Sequence, residues 1–176
     1  MKFAPSIVQT RFDSPLGPMI IAATDKGLAG LWFEGQRHLP LELSGQAGPT
    51  SWPRNDEHPM LQEASRQLTE YFAGRRSHFE LPLDLAYGTD FQQSVWQALL
   101  AIPQGGTASY GEVSRRIGKP AAVRAVGAAV GRNPISIIVP CHRVMGSNGS
   151  LTGYAGGLDR KTALLKLENA LQEKLL

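Results

Sequence analysis

Apolar residues change from strand-like to helical spacing near Leu61 of this 176-residue chain, and that change limits the fold more than any other feature. The first third carries three short apolar runs, Ser6 to Phe12, Met19 to Thr24 and Leu28 to Phe33, bounded by turn formers as strands are. Ser14-Pro15-Leu16-Gly17-Pro18 separates the first two, and Asp25-Lys26-Gly27 joins the second and third as a hairpin connection. Gly35 to Pro59 is polar, rich in Gly and Pro and without periodicity, and reads as a long loop. Helical spacing begins at Leu61 and runs to Phe72, with Leu61, Ala64, Ser65, Leu68, Tyr71 and Phe72 on one face and Gly74 as the stop. These elements predict a small antiparallel sheet plus a helix.

Leu81-Pro82-Leu83 and Tyr87-Gly88-Thr89 form an irregular connector, which divides the chain into an α/β N-terminal domain, 1–88, and a mainly helical C-terminal domain, 89–176. Asp90 is a suitable N-cap for a helix from Phe91 to Ala101, which Ile102-Pro103-Gln104-Gly105-Gly106 ends. Tyr110 to Ile117 is a second helix, closed by Gly118-Lys119-Pro120, and Ala121 to Gly131 a third; two short helices across a tight turn have the pattern of a helix-turn-helix. In the third, only Arg124 is larger than valine. A helix so thin either packs closely on a neighbour or enters a DNA groove with one long cation projecting. Ser147 to Leu158 is a Gly-rich surface loop without the Gly-Lys-Ser/Thr of a phosphate-cradling loop, and Asp159 caps a last helix that reaches Glu168.

The formal charge is +3, but it is unevenly spread. Residues 1–88 carry 8 Lys/Arg against 10 Asp/Glu, and residues 89–176 carry 10 against 5. The excess in the second half is either a solvated surface or the footprint of a domain that meets phosphate. The first ten residues lack the apolar core of a secretory signal, and no segment approaches the roughly eighteen apolar residues of a membrane span, so a cytoplasmic protein without membrane contact is expected. His38, His58, His78 and His142 lack paired ligand spacing, so no metal site is expected.

One cysteine excludes an internal disulfide and a cysteine-rich zinc cluster. It follows the apolar run Ile137-Ile138-Val139-Pro140, which reads as a buried strand ended by proline, so Cys141 is expected at a strand's end. His142 and Arg143 beside it would lower a thiol pKa, whereas burial in apolar surroundings would make the thiol inert; on the thiol alone both readings stand. Glu168 is open in the same way, since it could be a solvated helix residue.

Pro140-Cys141-His142-Arg143-Val144, with Asn133-Pro134 upstream, Gly153-Tyr154-Ala155-Gly156-Gly157-Leu158, Lys161 and Glu168 downstream, and Tyr110-Gly111-Glu112-Val113 and the Arg124 helix before them, resembles the 6-O-alkylguanine-DNA alkyltransferase family, or methylated-DNA-protein-cysteine methyltransferases. The likeness is strong from Phe91 to Glu168 and is one of length and general character over 1–88. It implies a direct-reversal repair protein that flips 6-O-alkylguanine out of duplex DNA and moves the alkyl group irreversibly to its own cysteine, once per molecule, with 4-O-alkylthymine a further candidate substrate. The resemblance implies Cys141 as acceptor, His142 and Glu168 as a relay through a water, Asn133 as the turn residue that presents the thiol, and Tyr110 as proton donor and guanine contact. For DNA binding it implies Arg124, which fills the place of the flipped base, with Tyr110, Ala125, Gly127, Ala129 and Arg132. Val139, Val144, Tyr154 and Ala155 would line the substrate pocket; Ala155 stands where some members have serine, so only its backbone N–H is left to contact the guanine oxygen. No metal or organic cofactor is implied, and residues 1–88 lack the cysteines with which some relatives bind zinc. The implied partner is double-stranded DNA containing alkylated guanine, met by a nucleoid-associated monomer, with cooperative assembly on DNA left open. Two rivals are a binding protein of the same fold that recognises alkylated bases without transfer, and a cysteine hydrolase or redox sensor.

Overall fold

A computed structural model describes residues 3–44 and 51–171, and the chain divides into two compact units, one of Met1–Thr89 with Pro134–Ser136 and one of Asp90–Asn133 with Ile137–Leu176. In the first unit β1 (Val8–Ser14), β2 (Gly17–Thr24) and β3 (Gly27–Phe33) form an antiparallel meander. Two-residue loops, Pro15-Leu16 and Asp25-Lys26, join them. Gly27 is required where it stands: its φ is +152°, and a Cβ there would lie 2.5 Å from the Pro82 carbonyl oxygen.

Alternation along β3 sends Leu31 and Phe33 to one face and Trp32 to the other. Helix α1 (Pro59–Phe72) covers the first face, where Phe72 meets Phe12 at 6.4 Å between ring centroids. Its buried stripe is Leu61, Ala64, Gln67, Leu68 and Tyr71, so Gln67 replaces the expected Ser65 and Phe72 inside. Gln67 is tolerated because its amide pairs with the Glu80 backbone, accepting from N–H at 2.9 Å and donating to the carbonyl at 3.1 Å. On the other face Ile7, Ala22, Ala29, Trp32 and Trp52 form a cluster joined by Phe3, Leu39 and Leu43.

The expected 35–59 loop is therefore more ordered than its composition implies. Residues 45–50 lie outside the described part, but Leu41–Leu43 form a 3-10 turn and Trp52 is buried. Arg54 bridges Gln9 and so covers the outer edge of β1. The outer edge of β3 is covered twice, by parallel bridges from Leu28 to Leu83 and from Leu31 to Ile135. The second comes from far along the chain: Leu31 N–H donates to the Pro134 carbonyl at 2.8 Å, and Ser136 N–H donates to the Leu31 carbonyl at 3.0 Å.

The second unit is helical, with α2 (Asp90–Leu100), α3 (Tyr110–Arg116), α4 (Val123–Gly131) and α5 (Leu158–Leu167). Asp90 and Asp159 sit inside the first turns of α2 and α5 rather than at the caps, where their charge still favours the N-terminal end of the helix dipole. Helix α4 begins two residues later than its composition predicts. Helices α2, α3 and α4 pack on one another, and the buried Trp96 indole donates to the Ala129 carbonyl at 2.8 Å. A two-residue strand β4 (Ala108–Ser109) lies parallel to β5 (Val144–Met145). No helix among the described residues is long and apolar enough to cross a membrane.

Candidate active site

The segment before the thiol is not a strand. Ile137 has φ of +71°, a left-handed conformation that is strained for a β-branched residue, and Ile137 to Val139 turn rather than extend. At Pro140, φ of −83° and ψ of 65° make an inverse γ-turn, closed by Cys141 N–H donating to the Val139 carbonyl at 2.8 Å. Cys141–Arg143 then form a 3-10 turn that leads into β5. Cys141 and His142 therefore project about a third of a turn apart, not to opposite faces of an extended chain. The same carbonyl of Val139 accepts from Asn133 Nδ2 at 2.7 Å, so Asn133, buried just beyond α4, ties down the turn; its side chain also hydrogen-bonds the thiol.

Glu168, directly after α5, is 2 % exposed and is no solvated helix residue. Arg143 clasps it, with Nε donating to Oε1 at 2.8 Å and Nη2 to Oε2 at 3.0 Å, while Nη1 donates to the Ile102 carbonyl at 2.6 Å. His142 Nε2 lies 2.8 Å from Oε2. A carboxylate held by an arginine fork is an acceptor at both oxygens, so Nε2–H is the donor and Nδ1 carries the lone pair. Nδ1 is buried without a hydrogen-bond partner.

The electrostatics differ from the expectation of a thiol activated by adjacent cations. Burial pushes the Cys141 pKa up to about 11, against the opposing pull of Asn133 and Lys161. Burial also holds the His142 imidazole below its ordinary value, against the Glu168 carboxylate, with the Arg143 and Lys161 charges adding to the depression. Arg143 is spent on Glu168 and His142 is neutral, so neither supplies the positive field that their adjacency in sequence implied. The cation that acts on the thiol is Lys161, which is fully buried on α5 and whose own pKa burial lowers to about 8.

Tyr110 opens α3, aimed by a capping box in which Ser109 Oγ accepts from Glu112 N–H at 3.0 Å and Glu112 Oε1 accepts from Ser109 N–H at 3.4 Å. Its hydroxyl, whose pKa burial raises, bonds to the Thr152 side chain. A Cβ on Gly127 would lie 3.9 Å from the Tyr110 ring, so α4 approaches the tyrosine closely at that glycine. On α4 and just after it, Arg124, Ala125 and Arg132 are exposed and Gly127 is half-buried. Ala129 is a correction: at 2 % exposure it faces the interior and offers no side-chain surface to DNA. The side chains of Val139 and Val144 are fully buried, and their carbonyls accept from Asn133 and Lys161. Tyr154 and Ala155 are half-buried in the loop before α5.

Sequence reading missed the Arg143 fork, Thr152 and the placement of Lys161. The Ser-x-x-Glu pattern at Ser109 was the available signal for the aim of Tyr110; the fork and the lysine depend on contacts across 25 and 17 residues of chain and leave no local signature.

A buried thiol beside a neutral histidine and an arginine-bound carboxylate is the group set of a protein with a nucleophilic cysteine. Residues 90–170 match the 6-O-methylguanine DNA methyltransferase DNA binding domain, and residues 7–85 match the ribonuclease-like domain of the same family. A Methanosarcina acetivorans methylated-DNA–protein-cysteine methyltransferase is 51 % identical over 160 residues, 90 % of this chain and 96 % of that protein. The Mycobacterium leprae protein of that name is 50 % identical over 156 residues, 89 % of this chain and 88 % of its own. Among solved structures, Mycobacterium tuberculosis OGT in complex with DNA has a TM-score of 0.79 at 47 % identity, covering 93 % of this chain and 92 % of that one. The chain belongs to the 6-O-methylguanine DNA methyltransferase family, and the likeness extends through the N-terminal unit, where the sequence motifs alone were silent.

Proposed function

We propose that this protein repairs duplex DNA by transferring the alkyl group of 6-O-alkylguanine to Sγ of Cys141, one group per molecule, with 4-O-alkylthymine a further candidate. The observation that carries the reading is the fully buried His142 next in sequence to the chain's one thiol, with its Nε2 committed to Glu168 and its Nδ1 unbonded. A thiol raised to about 11 is almost wholly protonated at neutral pH and needs a base. Through a bridging water, Nδ1 takes the thiol proton, and Glu168 stabilises the imidazolium that forms. The sulfur attacks the alkyl carbon, the S–C bond forms as the C–O bond breaks, and the electron pair stays on guanine. Tyr110, which burial keeps protonated, meets that developing charge with its hydroxyl proton. The thioether formed is a poor alkylating agent, so the protein is consumed.

In this reading α3 and α4 act as a helix-turn-helix, with Arg124 in the gap of the flipped nucleotide, Ala125 and Gly127 against the groove and Arg132 near phosphate. The Ala155 N–H contacts the guanine oxygen. The domains take the limits 1–88 and 89–176, and the protein works in the cytoplasm on the nucleoid, as a monomer.

The test is incubation with duplex DNA carrying 6-O-methylguanine, followed by intact-protein and peptide mass spectrometry. One methyl group on the Cys141 peptide is expected, and no mass gain would sink the reading. A base-binding protein without transfer would retain the DNA unmodified, and a cysteine hydrolase would turn over a small substrate without DNA.

A further inference from the structure

A tyrosine that protonates a leaving group is left holding the negative charge, and at Tyr110 that charge is costly. Burial, first of all, raises the Tyr110 pKa, and the Cys141 thiolate adds to the rise, while the hydrogen bond with the Thr152 side chain works the other way. Thr152 lies in the Gly-rich loop before α5 and is exposed, but its main chain is held, because its carbonyl accepts from Lys161 Nζ at 2.7 Å. The next residue stands at the same hydroxyl: a Cβ on Gly153 would be 3.8 Å from Tyr110 Oη. A threonine hydroxyl both donates and accepts, and it rotates to suit its partner. Tyrosine has a single O–H proton. When that proton points at guanine, the bond between the two side chains has one available donor, the Thr152 hydroxyl.

We propose that Thr152 is a positioning residue for protonation of the leaving group: its hydroxyl donates to Tyr110 Oη, which turns the Tyr110 proton toward the departing guanine and stabilises the phenolate left when that proton moves. The inference rests on the alkyl-transfer reading and deepens it. In the step, the bond from Cys141 Sγ to the alkyl carbon forms as the bond from that carbon to the guanine oxygen breaks. The electron pair left on guanine takes the proton of Tyr110, and the O–H pair stays on Oη, where the Thr152 hydrogen bond meets it. The proton that His142 took from the thiol balances the one that Tyr110 gave, and exchange with water resets both groups.

Thr152→Val keeps the shape of an exposed side chain and removes its hydroxyl, whereas Thr152→Ser keeps the hydroxyl. Single-turnover methyl transfer from duplex DNA carrying 6-O-methylguanine should slow about tenfold in Thr152→Val, the scale of one hydrogen bond, and stay within about threefold of wild type in Thr152→Ser. In a Tyr110→Phe background the same valine substitution should have no further effect, because the hydroxyl it serves is gone. Iodoacetamide, whose iodide leaves without a proton, should label Cys141 equally fast with and without the Thr152 hydroxyl. An unchanged transfer rate in Thr152→Val, an equal loss in Thr152→Ser, a full further loss in the Tyr110→Phe background, or equal slowing with iodoacetamide overturns the proposal. The Tyr110 ionisation is read separately by ¹³C NMR of ζ-labelled tyrosine, assigned with Tyr110→Phe. Its pKa should rise in Thr152→Val, and no rise overturns the role of the hydrogen bond. If the wild-type protein transfers no methyl group, the alkyl-transfer reading fails, and that titration judges the Thr152–Tyr110 pair by itself.

Discussion

Replacing Arg143 with methionine should be among the most damaging single changes outside the hydrophobic core. Arg143 is 7 % exposed and makes two hydrogen bonds to Glu168 and one to the Ile102 carbonyl. Methionine matches its stem, so the cavity left is small; what is lost is the partner of a carboxylate that remains buried. Breaking a buried pair in this way costs about 3–5 kcal/mol, against about 0–1 kcal/mol for an exposed pair. Urea unfolding followed by tryptophan fluorescence reads the cost directly. The double variant Arg143→Met/Glu168→Gln removes the stranded charge and should recover about 1–3 kcal/mol relative to the sum of the singles. Catalysis should respond as well. The Arg143 charge helps to hold the imidazole neutral, so without it the His142 pKa rises under the influence of Glu168, and alkyl transfer at neutral pH should slow and recover toward higher pH. A loss of less than about 1 kcal/mol together with an unchanged pH profile would refute the view of Arg143 as a buried, obligatory partner.

Four further outcomes are expected. Arg124→Ala should weaken duplex binding and repair about tenfold or more while leaving reaction with a free alkylated guanine base intact; equal loss on both would count against base flipping. Asn133→Ala strips the Val139 carbonyl of a buried donor and should cost about 1–3 kcal/mol on unfolding, with slower transfer. Because burial holds His142 below its ordinary 6.5, its contribution is complete above that pH and is lost as pH falls through the folded-state value; His142→Gln should flatten the stability profile between pH 7 and that point. Gly27→Ala forces a side chain into the Pro82 carbonyl at positive φ and should lower the melting temperature by the equivalent of about 1–3 kcal/mol, with the thiol still reactive.

The elements most legible in the sequence are those whose period is long enough to identify. The three strands, α1, α2 and α3 lie where their apolar residues and turn formers place them, within about two residues. Ile137 to Val139 misled because apolar character reports burial and not extension; all three are buried, yet the chain turns there. The small residues of α4 look equivalent in sequence, and only the packing of Trp96 on the Ala129 turn separates the inward Ala129 from the outward Ala125. At the site, residue identity was legible and field was not. Cys141, His142 and Arg143 are neighbours in sequence, but Glu168 takes up both potential cations from 25 and 26 residues away, and the burial that results raises the thiol pKa instead of lowering it. Lys161, an ordinary helix residue by pattern, carries the charge that the sequence had assigned to those neighbours.

The Pro134–Ser136 stretch has a practical consequence for anyone who divides this protein. The N-terminal sheet does not cover its own edge: the backbone groups of Leu31 are satisfied by residues encoded more than 100 positions later. A fragment ending at the connector would leave that part of β3 with an open flank, a template for pairing with another copy. Such a fragment should be recovered as aggregate rather than as a free module.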